Sequence, residues 1–314
     1  MVQAVGAQGQ ITFVEEVSWG VTPGSPSMKL LKAAVYGESL GAEIETLRSN
    51  SINANRAQEE VRGGVKTAGG SIPYELAILG MGTMMKHALG PVVTTGAGPT
   101  YTHVIKRGAL PPGLSVEKGF TDIGQYFVYD GCKINSMSQT IDAKGLVTGT
   151  FDFAAKGLTA SGTTLGAPSS SAHNPVVSHE ATTVEENGVA ATLFSLDWNL
   201  TNNLDTDRFQ VGSRDRISLT EGKGDMTGNV GFLFEDLVVF NKWLNETESS
   251  LKIIFTVTGG TVEYFWPKIK YFGDSAPKME TDQGIVIVLP FEAVYDSVEA
   301  TDLRITINNT EATI

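Results

Sequence analysis

The chain has 314 residues, 41% apolar and 18% charged, which places it among folded globular proteins and leaves room for two modest domains or one large β unit. Lys and Arg number 23 against 35 Asp and Glu, a net charge of −12. That balance excludes a module that grips nucleic-acid phosphates electrostatically, though not a surface past which DNA slides without sticking.

Residues 1–20 lack the basic stretch, apolar core and small-residue cleavage site of a signal peptide. The longest apolar runs, at 237–240 and 285–290, fall far short of the ~20 residues of a membrane-spanning helix. A soluble chain made in the cytoplasm is expected, with no membrane partner. Apolar spacing allows a short helix over 28–36. Ile72, Tyr74, Leu76 and Ile78 alternate as in a half-buried strand, and residues 79–89 then read as a helix carrying Met84, Met85 and Leu89, stopped by Gly90 and Pro91. Pro91, Pro99, Pro111 and Pro112 mark 90–119 as a long irregular loop. Val147, Phe151 and Phe153 around Gly149 resume a strand.

Residues 157–178 hold no Asp, Glu, Lys or Arg and are rich in Gly, Ser, Thr and Ala, which predicts a linker or mobile loop. Beyond it, Phe194, Leu196, Trp198 and Leu200 share one strand face, with Ser195, Asp197 and Asn199 on the other. Val230, Phe232 and Phe234 follow the same pattern. A second helix is predicted over 235–244, from Leu237, Val238, Phe240, Trp243 and Leu244. The expected fold class is mainly β, each of two strand sets being followed by one short helix.

The order of these elements repeats. A shift of 158 residues places Arg56 on Arg214, Gly64 on Gly222, Gly70 on Gly228, and Ile72, Tyr74 and Leu76 on Val230, Phe232 and Phe234. At smaller offsets, Lys133-Ile-Asn135 falls beside Lys268-Ile-Lys270. Asp142-Ala-Lys-Gly145 leading to Phe151-Asp-Phe153 falls beside Asp282-Gln-Gly284 leading to Phe291-Glu-Ala293. The expectation is one chain with two similar β units, 1–160 and 179–314, joined by a linker over 161–178. Two copies in one chain suit a ring or pseudo-symmetric assembly.

No catalytic constellation emerges. The single cysteine, Cys132, permits no internal disulfide, and His87, His103, His173 and His179 lack metal-ligand spacing; these histidines read as structural or solvent-exposed. Gly80-Met-Gly82 lacks the third glycine of a dinucleotide loop, Asp205-Thr-Asp207 lacks the rest of a calcium loop, and no Gly-x-Ser-x-Gly occurs. Glu59-Glu60 and Glu185-Glu186 read as solvated edge charges. No catalytic residue, cofactor or metal is expected.

Several segments resemble one family. Glu15-Glu-Val-Ser-Trp-Gly-Val-Thr-Pro23, Gly37-Glu-Ser-Leu40, Leu47-Arg-Ser49, Asn53-Ala-Asn-Arg56 and Gly69-Gly-Ser-Ile-Pro-Tyr-Glu-Leu76 look like the opening of tail tube proteins of long-tailed, siphovirus-like bacteriophages. Leu196-Asp-Trp-Asn-Leu-Thr-Asn-Asn203 and Gly228-Asn-Val-Gly-Phe232 resemble a second stretch of those proteins. The likeness runs over roughly residues 10–295, each motif being short, so the order of the pieces carries the weight. It implies two tandem tail-tube-like β-sandwich or barrel units, each with a flanking helix, in a structural virion protein that assembles into stacked rings around the path of DNA ejection. The implied partners are other copies of the chain, a tape measure protein, tail terminator and tip proteins, and DNA in transient, non-specific passage. A ring of single-unit subunits has six, so two units per chain favour a trimer with pseudo-sixfold symmetry over a hexamer. Lumen-facing candidates are Glu43, Glu45, Asp142, Asp152, Asp197 and Asn199. The 90–119 loop and the arm before Gly20 are candidate ring-to-ring contacts. Other readings are a tail terminator, baseplate or capsid decoration protein, and a carbohydrate-binding β-sandwich.

Overall fold

The computed structural model describes residues 3–52, 56–273, 277 and 284–314. In chain order the elements are β1 (Gly9–Glu15), β2 (Lys29–Leu30), β3 (Gly41–Arg48), β4 (Val61–Glu75), α1 (Gly82–Leu89), β5 (Val92–Ala97), β6 (Thr100–Lys106), β7 (Leu114–Phe120), β8 (Gln125–Asp142), β9 (Thr148–Ala155) and β10 (Gly157–Ser161). There follow β11 (Ala181–Glu186), β12 (Val189–Ala190), β13 (Leu193–Thr201), β14 (Asp225–Leu233), α2 (Val238–Leu244), β15 (Ser249–Val257), β16 (Gly260–Tyr271), β17 (Val286–Ala293) and β18 (Arg304–Asn309). The protein is mainly β with two short helices, as the alternating apolar pattern and abundant turn residues predict.

Eight strands form one antiparallel row in the order β3-β4-β9-β8-β13-β14-β17-β16. The row does not close into a barrel within the chain, and β3 has β4 as its only strand partner among the described residues. The 18-residue β8 joins the halves. Its first part pairs with β7 and β10, and its second with β9 and β13. One apolar core runs through both halves. Tyr74 stacks on Phe151 at 4.3 Å, Trp198 packs against Tyr264 and Trp266, and Gln139 Nε2 donates to Tyr264 Oη across the junction at 3.1 Å.

The 158-residue spacing recurs in the strand register. Gly70 and Gly228 each lie under a carbonyl of the neighbouring segment: a Cβ at Gly70 would meet Ser39 O at 2.3 Å, and one at Gly228 would meet Asp197 O at 2.4 Å. Ser39 and Asp197 are themselves 158 residues apart. Across the next strand, Phe153 pairs with Gly70 and Phe291 with Gly228. The sequence alignment of Phe151 with Phe291 therefore slips by two residues, which preserves the face. Asp282, used in that alignment, and Asn53 to Asn55 lie outside the described residues.

Four expectations are corrected. Residues 28–36 form no helix: Lys29 and Leu30 pair with Phe13 and Thr12, and so short a helix gains little on its own. The 90–119 segment holds the β5–β6 hairpin and β7, because Pro91, Pro99, Pro111 and Pro112 sit between strands rather than in them. The N-terminal arm is built in, with β1 paired along β7 and Phe13 buried. Residues 157–178 are no free linker. β10 pairs with β8, and Val176 is fully buried, donating to Leu76 O and accepting from Val147 N–H. Earlier in the same strap, Thr164 Oγ1 and Leu165 N–H donate to the buried Glu117 carboxylate. A register shift between Leu193 and Ser195 also turns Phe194 outward, to 54% exposure, while Leu196, Trp198 and Leu200 stay buried as expected.

Candidate functional site

Alternation sends one face of the eight-strand row into the core and leaves the other polar. On β8, Met137, Gln139 and Ile141 point inward, so Ser136, Ser138, Thr140 and Asp142 point outward. Cross-strand pairing extends that outward set into four rows. The first runs Asp152, Ser136, Thr201, Asp225, and the second Thr150, Ser138, Asn199, Thr227, Glu292. The third is Thr148, Thr140, Asp197, Asn229, Pro290, and the fourth Asp142, Ser195, Gly231, Val288. The charged side chains on β8, β9, β13, β14 and β17 in these rows are Asp142, Asp152, Asp197, Asp225 and Glu292, and β16 extends the second row to one base, Lys270, directly opposite Glu292. Lys268 and Lys270 on β16 lie 2.8 and 3.8 Å from Glu248, which offsets part of their charge. A shallow depression lined by Thr140, Asp197, Asn229 and Glu292 lies on this surface.

Asp142, Asp152, Asp197 and Asn199, proposed from scattered sequence positions, are thus brought together on one face. Glu43 shares it farther along, since it pairs with Thr67 two residues from the outward Gly69. Glu45 does not join the rows: it falls at the register shift between Ile44 and Thr46, its side chain over Gly64. Asp225 and Glu292 were missed by the sequence reading. The polar alternation of Asp225, Thr227 and Asn229 against buried Met226 and Val230 carried the signal. Burial pushes the Asp152 carboxyl above its ordinary value, its strand β9 being flanked on both sides by β4 and β8.

The helices are tied down by a matching pair of ionic contacts. Glu15 ends β1 beside Leu114, and Glu186 ends β11 beside Leu251. Lys86 and Lys242 are each the fifth residue of their helix, and they reach these carboxylates at 2.6 and 2.5 Å. Burial would raise the Glu15 carboxyl, but hydrogen bonds and charge from His87 and Lys86 override it and hold it at about 2. Burial lowers the His87 imidazole, against the pull of Glu15. The ring is therefore neutral near pH 7 and, since an ionised carboxylate only accepts, donates Nε2–H to Glu15 at 3.0 Å. Glu186 is buried, contrary to its reading as a solvated edge charge. It accepts from Lys242 Nζ, Ser249 Oγ and Tyr271 Oη, and burial next to this carboxylate raises the Tyr271 phenol well above its usual value.

None of these groups forms a reaction centre. His103 is buried between Thr94 Oγ1 and Asn309, and no group of three potential metal ligands occurs among the described residues. The geometry offers a broad, predominantly acidic sheet face and two anchored helices, which suits assembly rather than chemistry.

No curated protein matches the chain. The family model described as phage tail tube protein matches residues 6–293, so it spans nearly every element from β1 to β17. The chain belongs to the phage tail tube protein family, and its role is structural, in forming the tail tube of the virion, and not enzymatic.

Proposed function

We propose that the chain carries two tail-tube-like units, 1–160 and 179–314, that three copies close a ring of pseudo-sixfold symmetry, and that the acidic rows face the lumen. The observation that carries the reading is the continuous polar face spanning the junction of the two halves, with five acids, one on each of β8, β9, β13, β14 and β17, against one base, Lys270, at its β16 margin. A duplex carries one negative charge per ~1.7 Å of axis, so a basic lining would hold it by counterion release while an acidic one lets it pass. Eight strands per chain supply 24 to a three-chain ring. Barrels of roughly 16–18 strands already enclose an aqueous channel. The shared Gly70 and Gly228 registers and the matched Lys86–Glu15 and Lys242–Glu186 pairs support two equivalent units. A tape measure protein inside the lumen, terminator and tip proteins at the ends, and synthesis in the host cytoplasm complete the reading.

Electron microscopy of the purified protein over a concentration series tests it. Hollow striated tubes with three chains per ring are expected; rings of six chains would overturn the trimer.

A further inference from the structure

The junction between the two halves is a contact between one unit and the next, and its partners have counterparts elsewhere in the chain that lack such a contact among the described residues. At the junction, β13 adds its edge to β8, and the line ends where Asn202 N–H donates to Asn135 O at 2.7 Å. The segment after β13 then lies on the β3–β4 hairpin. Arg214 Nε donates to Gly64 O at 2.9 Å, and Arg214 O accepts from Lys66 N–H at 2.7 Å.

The repeat identifies the counterpart of each partner. Shifting back by 158 residues turns Asn202 into Ile44, Arg214 into Arg56, and β13 into residues 35–43, the last three of which begin β3, whose outer edge has no strand partner among the described residues. The counterpart of Asn135 follows from register. Gly70 and Gly228 pair with Phe153 and Phe291, and those pair with Ile134 and Tyr271. The residue after Ile134 is Asn135, and the residue after Tyr271 is Phe272. Ile44 and Phe272 are both large apolar side chains left at the surface, 52% and 39% exposed, one of them on an open strand edge, which proteins rarely leave uncovered.

We propose that a second copy of this chain covers both: its β3 edge docks on the second unit of its neighbour, with Ile44 directly across from Phe272 and Arg56 reaching the Gly222 carbonyl as Arg214 reaches Gly64. The contact is head-to-tail, the same two unlike surfaces meeting at every step, so it generates a ring if the rotation closes. This inference rests on the tube reading and adds to it the residues through which chains meet.

The test is disulfide trapping in assembled protein. Directly opposed cross-strand residues have Cα atoms about 4.5–5.5 Å apart, within the about 4.4–6.8 Å that a disulfide spans. Chains carrying both Ile44→Cys and Phe272→Cys should oxidise to covalent dimers and trimers that reduction releases, several-fold above a mismatched Val93→Cys, Phe272→Cys control. Because a double variant can misfold, the two single variants are also mixed; they should give dimers only, from one chain of each kind. Tubes or rings in the microscope without this cross-link would overturn the contact and leave the tube reading standing. Dispersed protein with no cross-link at any concentration would overturn both.

Discussion

Gly228 sits where Asp197 O and the Phe291 ring leave no room for a Cβ, at 2.4 and 2.6 Å. A Gly228→Ala chain must therefore separate β13 from β14, and overpacking of this kind costs about 1–3 kcal/mol, to be read as a lower urea midpoint at constant slope. Glu186 carries a different kind of constraint. Its Glu186→Ala variant leaves Lys242 largely buried without its carboxylate, which costs about 3 kcal/mol or more by the same measurement; a loss under 1 kcal/mol would mean that the helix lysine finds another acceptor. The Glu15 contact is more exposed, its side chain 40% accessible, so solvent screening limits its worth to about 1 kcal/mol. Its sign with pH is fixed by the lowered carboxyl. The folded value of about 2 lies below the ordinary 4.5, so the stabilisation is complete above pH 4.5 and disappears as pH falls toward 2. The stability gap between wild type and Glu15→Gln should be present at pH 5 and close as pH falls from 4.5 toward 2; a gap persisting at pH 2 would show that the carboxylate charge is not its source.

Among the elements, those with strong alternation or helical spacing were legible from residues alone. β4, α1, β13, β14 and α2 lie within a few residues of their predicted places, because one face of each meets the core. The helices α1 and α2 differ in a way periodicity does not reveal. The first is buried beneath the C-terminal residues, with Lys86 Nζ donating to Ile314 O, whereas the second has no buried residue. β1, β5, β6, β7 and β10 escaped notice since their partners lie far along the chain and their own apolar pattern is short. β6 shows the consequence. It pairs with β5 on one side and with β18, some 200 residues later, on the other, and its His103 is fully buried. Removing residues 99–112, which a surface loop would tolerate, takes this strand out of the sheet. The deletion should abolish the cooperative unfolding transition seen by circular dichroism, rather than leave a folded protein unable to grow tubes; retention of a cooperative transition would argue that β5 and β18 can close over the gap. The acidic face was half legible. Asp142, Asp152, Asp197 and Asn199 stand out as polar positions of single strands, but their convergence depends on the β8–β13 pairing, which joins segments about 60 residues apart and has no local signal.

At the scale of the whole molecule, the question is which way the acidic face points once chains assemble, and charge reversal answers it. Asp142, Asp197 and Glu292 are exposed and lie on three different strands of the row, so replacing all three with Lys should leave the core and the β3 edge untouched and tubes intact. In a lumen, the change would convert a surface that repels the duplex into one that releases counterions on contact, with log K falling against log salt by about 0.9 per phosphate neutralised. Tubes of the triple variant should then retain linear duplex DNA in sedimentation at low salt and release it steeply as salt rises, while wild-type tubes retain little at any salt. Topology separates inside from outside. A linear duplex has an end that can thread a tube, and a covalently closed circle has none, so lumenal lysines should hold the linear form and ignore the circle. Equal retention of both forms would place the acidic rows on the outer wall. Passage of DNA would then have to depend on the opposite side of the sheet, where Met137, Ile141, Trp198 and Phe291 are already packed into the core, and that conflict would count against the two-unit ring as well as against the lumen.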